Sequence, residues 1–136
     1  MSNATSLPKT HRLKITPTET QVFMFSAVTW NRHQIHFDLN QAKKEGFPAV
    51  AVQRGLLGNF LARMVTEWAG NQGRLERLQW KVLQSAFPGQ ELECIGQIKE
   101  TGSSVNPGRV ILEVRILNSE DAVIASGEAV VQLHER

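Results

Sequence analysis

A chain of 136 residues with 41% hydrophobic and 21% charged residues can bury the core of one domain, and this composition excludes a disordered or fibrous protein. The 15 basic and 13 acidic residues leave a net charge of +2, which argues against nucleic acid as a partner. A single cysteine excludes an internal disulfide, and the lack of a long apolar run or a secretory signal pattern predicts a cytoplasmic protein that does not enter a membrane.

The first third of the chain has the pattern of a short strand followed by helices. A strand is predicted over residues 9–15, and a helix over residues 17–28, whose start is signalled by Thr16 and Glu19 as the ends of a capping box. A short helix is predicted over residues 38–44, with the first residue as its cap, because glycine and proline follow it closely.

A longer helix is predicted from about Val52 to Trp68. Its apolar residues recur at spacings of three and four, which makes a broad stripe that must be buried. The stripe consists of Leu56, Leu57, Phe60, Leu61, Met64, Val65 and Trp68. This helix is therefore predicted to lie in the core of the domain.

After residue 73 the apolar period changes to two, which predicts strands. Strands are expected near residues 74–87, 91–100, 109–117 and 122–133. The short, turn-rich connections favour antiparallel neighbours. The predicted fold is therefore α+β, with an antiparallel sheet on the long helix, in a single domain of residues 9–136 that follows a flexible tail of residues 1–8.

Polar groups suited to acid–base chemistry are concentrated just after the first predicted helix, where Asn31, His33, His36 and Asp38 lie within eight residues. Because a histidine titrates near neutral pH, it can take and return a proton in one turnover, as addition or removal of water beside a carbonyl requires. The aspartate is better explained as a helix cap. Two histidines at positions i and i+3 could instead bind a metal, but no third ligand stands at a convincing spacing, and no metal is predicted.

The segment from Phe25 to Asp38, followed by Glu45-Gly46-Phe47-Pro48, resembles the MaoC-like acyl-thioester dehydratases. The similarity is greatest to the branch that contains fungal mitochondrial 3-hydroxyacyl-thioester dehydratase and mesaconyl-CoA-type hydratases, and it covers residues 25–68. This resemblance implies a hot-dog fold, in which a sheet wraps around a central helix, here residues 52–68. It also implies a homodimer, or an oligomer of dimers, with the active site near the subunit interface.

The resemblance further implies a hydro-lyase that hydrates a trans-2-enoyl thioester or dehydrates an R-3-hydroxyacyl thioester. The acyl group would be carried by coenzyme A or acyl carrier protein, and no metal or redox cofactor is implied. The broader family pairs an aspartate with a histidine five residues later, and these positions hold Asn31 and His36 here. Because asparagine cannot exchange a proton at neutral pH, proton transfer is assigned to His36, with Asn31 holding the water and His33 as the reserve candidate.

The start of the central helix is predicted to bind the thioester carbonyl, because unpaired backbone amides and the helix dipole stabilise negative charge on oxygen. Family members commonly have a histidine-glycine step there, whereas this chain has Gln53-Arg54-Gly55. Gly55 is assigned the oxyanion amide, and Gln53 and Arg54 are assigned to substrate binding. For Arg54 three interpretations stay open: an acidic group of the substrate, a phosphate of coenzyme A, or solvent.

Two alternative functions follow from the same features. A hot-dog thioesterase would share the carbonyl-binding helix but use a carboxylate near it, and Glu67 lies on that helix far from its start. A non-catalytic subunit that completes a heterodimeric MaoC-like hydratase is suggested by Asn31 and by the altered Gln53-Arg54 step.

Overall fold

The computed structural model describes residues 6–134 and consists of one antiparallel sheet, one long helix and two shorter helices. The strands are β1 (Thr10–Ile15), β2 (Gly73–Val82), β3 (Leu92–Glu100), β4 (Arg109–Leu117) and β5 (Val123–Leu133), and the helices are α1 (Glu19–Thr29), α2 (Leu39–Lys44) and α3 (Arg54–Ala69). The strand order is β1-β3-β4-β5-β2, so that β1 and β2 form the edges of the sheet. The predicted α+β architecture is confirmed.

The sheet packs around α3, and the predicted apolar stripe of this helix is buried against it. Gly96 on β3 allows the close approach, because a Cβ there would lie 2.8 Å from the sulfur of Met64. The neighbouring Cys94 is fully buried, and this burial raises the pKa of its thiol to about 12. The core therefore lies between α3 and the inner face of the sheet.

Most predicted helix and strand bounds lie within two residues of those in the structure, and the end of β2 differs by five. Helix α1 begins at Glu19 and not at Pro17, because the hydroxyl of Thr18, and not that of Thr16, accepts a hydrogen bond from the amide of Gln21 (3.0 Å). Strand β2 ends at Val82, five residues earlier than predicted. The amides of Leu83 and Gln84 still donate to the carbonyl of Ile124 on β5. Beyond them the chain leaves the sheet, and the carbonyl of Ala86 accepts a hydrogen bond from the amide of Val52 (2.9 Å), in the segment that leads into α3.

Helix α2 is capped as predicted, since the carboxylate of Asp38 accepts a hydrogen bond from the amide of Gln41 (3.1 Å). Residues 1–5 of the predicted tail lie outside the described residues. Its last two residues contact the core: Leu7 packs against it, and the carbonyl of Pro8 accepts a hydrogen bond from the indole of Trp68 (2.8 Å). Within residues 6–134 no helix is long and apolar enough to cross a membrane.

Candidate active site

His36 ends a single 3₁₀ turn, Gln34–His36, between α1 and α2. Two hydrogen bonds hold this turn against Ala51: the amide of Ala51 donates to the carbonyl of Ile35 (2.9 Å), and Nδ1 of His36 donates to the carbonyl of Ala51 (2.6 Å). Because a carbonyl only accepts hydrogen bonds, Nδ1 must carry the hydrogen. In the neutral ring, Nε2 is therefore the nitrogen that can accept a proton.

The surroundings of His36 favour its neutral form. Burial lowers the pKa of His36 from its usual value of 6.5, and this outweighs the hydrogen bond to Ala51, which acts in the opposite direction. The ring of His33, at a centroid distance of 5.8 Å, lowers the pKa further. At neutral pH, His36 is thus ready to act as a base.

A half-open groove of about 380 Å³ runs beside His36. Its other walls are largely apolar, with two polar residues, and they are formed by Glu19, Thr20, Phe23, Phe37, Leu39 and Val50. An apolar groove with one basic imidazole suits a hydrophobic ligand that undergoes proton transfer. Asn31 and Gly55 do not line this groove.

Asn31 lies just beyond α1, where its amide donates to the carbonyl of Ser26 (3.0 Å) and its side-chain oxygen accepts a hydrogen bond from the amide of His33 (3.2 Å). The side-chain oxygen thus closes a local turn that leads towards His36. His33 is exposed, and its Nδ1 accepts a hydrogen bond from the amide of Ile35 (3.4 Å). The structure therefore places both residues in the short segment that leads from α1 into the 3₁₀ turn of His36, with His33 as the N-cap of that turn.

The start of α3 has no side-chain cap. The amide of Leu57 donates to the carbonyl of Gln53 (3.1 Å) and closes the first turn, so that the amides of Arg54, Gly55 and Leu56 precede the first hydrogen bond of the helix. Gly55 packs under the ring of Phe25, because a Cβ there would lie 3.1 Å from two ring carbons. Backbone amides in such a position can stabilise negative charge on oxygen.

Gln53 is in the core and only 1% exposed, although its polar side chain was predicted to bind substrate. Its Nε2 donates to the carbonyl of Val22 (2.7 Å) and to the hydroxyl of Ser26 (2.8 Å), both on α1. Its Oε1 is buried and has no hydrogen-bond partner within residues 6–134. Gln53 therefore ties α1 to the start of α3, which leaves the exposed Arg54 as the nearer residue for a ligand.

One contact at this helix start could not be predicted from the sequence. The guanidinium of Arg54 lies 4.4 Å from the ring centroid of Trp80 and donates to the carbonyl of Trp80 (2.9 Å). From the sequence alone Arg54 could bind a ligand or face solvent, because nothing in a linear pattern pairs residues that lie 26 positions apart. The only local signal was Gly58, a small residue on the helix face that receives this ring.

The imidazole and the helix start are joined by one short segment. Ala51, which holds His36, lies four residues before Gly55 in the chain. Within residues 6–134 no group of three or more histidine, cysteine, aspartate or glutamate residues is placed to hold a metal ion. The structure thus offers an imidazole base beside a largely apolar groove, and at the start of α3, outside the lining of that groove, backbone amides that precede the first hydrogen bond of the helix.

A model of the hydroxyacyl-thioester dehydratase type 2 family matches residues 2–88. The chain is 31% identical over 108 residues to the mitochondrial hydroxyacyl-thioester dehydratase type 2 of Schizosaccharomyces pombe, an alignment that covers 72% of this chain and 35% of that protein. The chain thus spans about a third of the length of this curated relative. Because the relative is mitochondrial, the predicted cytoplasmic location stays a prediction.

Solved structures share the fold. The (R)-hydratase from A. caviae involved in PHA biosynthesis superposes with a TM-score of 0.86 at 20% identity, covering 94% of this chain and 96% of that chain. The ChsH1-ChsH2 complex from Mycobacterium tuberculosis gives a TM-score of 0.83 at 15% identity, covering 94% and 98%. The hot-dog fold implied by the resemblance is thereby confirmed. Because the family model matches more than half of this chain, the chain belongs to the hydroxyacyl-thioester dehydratase type 2 family.

Proposed function

We propose that this protein is a hydro-lyase that interconverts an R-3-hydroxyacyl thioester and a trans-2-enoyl thioester. The observation that carries the proposal is the imidazole of His36, whose Nδ1 is fixed on Ala51 and whose Nε2 is left as a base beside an apolar groove. Membership of the family supports the same reaction. The acyl group of the substrate would be carried by coenzyme A or by acyl carrier protein.

In the hydration direction, Nε2 of His36 takes a proton from a water molecule while the water oxygen forms a bond to C3 of the enoyl group. The electron pair of the double bond moves to C2 and the thioester oxygen, where the amide of Gly55 stabilises the negative charge. The imidazolium then returns its proton to C2, and the base is restored. Dehydration is the reverse, and neither direction needs a metal or redox cofactor.

Asn31 has a supporting role in this proposal. Its side-chain oxygen accepts a hydrogen bond from the backbone amide of His33. The side-chain nitrogen of Asn31 is then the group that would hold the attacking oxygen. An amide orients that oxygen without exchanging a proton, so a single imidazole performs both proton transfers.

The test is to mix the purified protein with a series of trans-2-enoyl-CoA thioesters of increasing chain length and to follow the loss of enoyl absorbance. We expect hydration without release of free thiol. A folded protein that releases thiol instead would make the thioesterase alternative correct, and one that does neither with CoA or acyl-carrier-protein thioesters would overturn the proposal.

The structure argues against the thioesterase alternative. Glu67 lies twelve residues after Gly55 on α3, which is about 18 Å along the helix axis at 1.5 Å per residue. Its carboxylate is 3.3 Å from Nε2 of His11 on β1, away from the start of the helix. Within one subunit, Glu67 is therefore too far from the amide of Gly55 to act on the same carbonyl.

The pH dependence of kcat/KM should show the protonation of His36. Because the pKa of His36 is lowered from 6.5, we expect kcat/KM to be constant above neutral pH and to fall to half of that value at a pH below 6.5, as the base becomes protonated. The measurement is a series of hydration assays from pH 5 to 8, roughly the range in which histidine titrates. A midpoint above 6.5 would contradict the assignment of His36 as the base.

We infer that the active unit contains two hot-dog subunits and that the partner is a second copy of this chain. Support comes from four apolar side chains left exposed on and beside α1, namely Phe23, Met24, Val28 and Trp30, since soluble monomers seldom leave such a patch uncovered. The ChsH1-ChsH2 structure, which shares this fold, is a complex of two chains. Light scattering of the purified protein should give the mass of a dimer. A monomer that gains activity only with a second chain would favour the heterodimer alternative.

A further inference from the structure

The first turn of α3 is joined to the edge strand β2 by reciprocal contacts between two residues. The indole Nε1 of Trp80 donates to the carbonyl of Arg54 (3.1 Å), and the guanidinium of Arg54 donates to the carbonyl of Trp80 (2.9 Å). We propose that Trp80 is a positioning residue, which fixes the first turn of α3 and so the amide of Gly55. The inference rests on the proposed function, in which the amide of Gly55 binds the oxygen of the thioester carbonyl.

One glycine makes room for the indole and a second for the backbone of β2 at the same residue. A Cβ at Gly58 would overlap the ring of Trp80, and a Cβ at Gly127, the cross-strand partner of Trp80 on β5, would lie 2.7 Å from its Cα. Glycine is a poor residue for the interior of a helix, so its presence within α3 needs a reason. The close approach of the ring supplies that reason.

Trp80 anchors the start of this helix from the neighbouring strand by donating to a carbonyl, whereas an N-cap would accept a hydrogen bond from a backbone amide. The side chain of Gln53, at the cap position, is used to hold α1 and makes no cap hydrogen bond. Arg54 places a positive charge at the positive end of the helix dipole, which is unfavourable unless other contacts hold it. The ring of Trp80 provides them, with the guanidinium 4.4 Å from its centroid.

Positioning matters here because a hydrogen-bond donor for a developing oxyanion must be placed within about 0.5 Å. The first turn of a helix has unpaired amides and is the part that frays most readily. Both contacts of Trp80 act on Arg54, the residue directly before the candidate oxyanion amide. Loss of the contacts between Trp80 and Arg54 should therefore lower the rate of the chemical step more than the affinity for substrate.

The experiment compares Trp80→Phe with a matched control, Trp68→Phe, in the full chain. Each variant loses one indole N–H bond to a backbone carbonyl, but that of Trp68 goes to Pro8 at the other end of α3. We expect kcat of Trp80→Phe to fall about 10- to 100-fold with KM unchanged, since a displacement of about 1 Å can cost that much. Trp68→Phe should keep the kcat of the wild type.

Gly58→Ala is the second variant, because it displaces the indole while improving helix propensity. We expect the same loss of kcat from it. A readout independent of activity is the ¹⁵N relaxation order parameter of the Gly55 amide, which should decrease in Trp80→Phe and not in Trp68→Phe.

The outcomes separate the two proposals. An active wild type whose kcat and Gly55 order parameter are both unchanged by Trp80→Phe and by Gly58→Ala would overturn the positioning role and leave the proposed function intact. An inactive wild type would overturn the proposed function, and the order parameter would then decide whether Trp80 holds this turn.

Discussion

Replacement of His36 by asparagine is expected to lower kcat for hydration by about 100- to 10,000-fold, the usual contribution of a general acid–base group. Asparagine keeps an N–H donor that can reach the carbonyl of Ala51, so the 3₁₀ turn is preserved while the proton acceptor is lost. The effect should appear in kcat, because the imidazole takes part in proton transfer more than in binding. Enoyl-thioester hydration assays at pH 7.5, well above the usual histidine pKa of about 6.5, measure it.

The matched control is His33→Asn, at the residue that caps the same turn. The side chain of His33 is exposed, and its ring meets the ring of His36 edge to face, with 5.8 Å between the ring centroids. We expect this variant to keep most of the wild-type kcat and to raise the apparent pKa of the acid limb, because one cause that lowers the pKa of His36 is removed. Equal loss of activity in both variants would show that the turn, and not the imidazole of His36, is what matters.

Replacement of Leu61 by alanine is expected to destabilise the protein by about 2–5 kcal/mol, through lost apolar burial and a cavity in the core. Leu61 lies in the middle of α3 and is 0% exposed. Since a domain of this size has a free energy of unfolding of about 5–15 kcal/mol, a large share of its stability would be lost. Urea denaturation followed by circular dichroism gives the difference.

Leu83→Ala provides the comparison for that measurement. Leu83 follows β2 and is 52% exposed, so the same chemical change removes little buried area. We expect its free energy of unfolding to stay within about 0.5 kcal/mol of the wild type. If both leucine variants lost the same stability, α3 would not be the centre of the core.

The α+β arrangement was predictable because two periodic patterns dominate the sequence, whereas the hot-dog fold was implied by the resemblance to a family. The stripe on α3 and the alternation along β4 and β5 each require burial of one face, and a sheet packed on a helix satisfies both. The end of β2 was not predictable, because it depends on a contact between residues that are far apart in the chain. The carbonyl of Ala86 accepts a hydrogen bond from the amide of Val52, which lies 34 positions earlier.

The residues of the candidate site can be proposed from the sequence, but their contacts cannot. Asn31 and His36 are selected by a local motif and Gly55 by its place at the start of the long helix, and their catalytic roles stay predictions. The role of Ala51 in fixing the tautomer of His36 depends on a contact between residues 15 positions apart. Gln53 was predicted to bind substrate because it lies at the start of the central helix, and only the tertiary structure shows its hydrogen bonds to α1.

The reactivity of the Cys94 thiol can report how often the folded protein opens. Because this thiol is fully buried on β3 and has a pKa raised to about 12, a thiol-specific reagent meets almost no thiolate in the native state at neutral pH. Modification then requires the strands around it to separate, so its rate follows the population of opened molecules. As the chain has one cysteine, the modification kinetics of each variant have a single source.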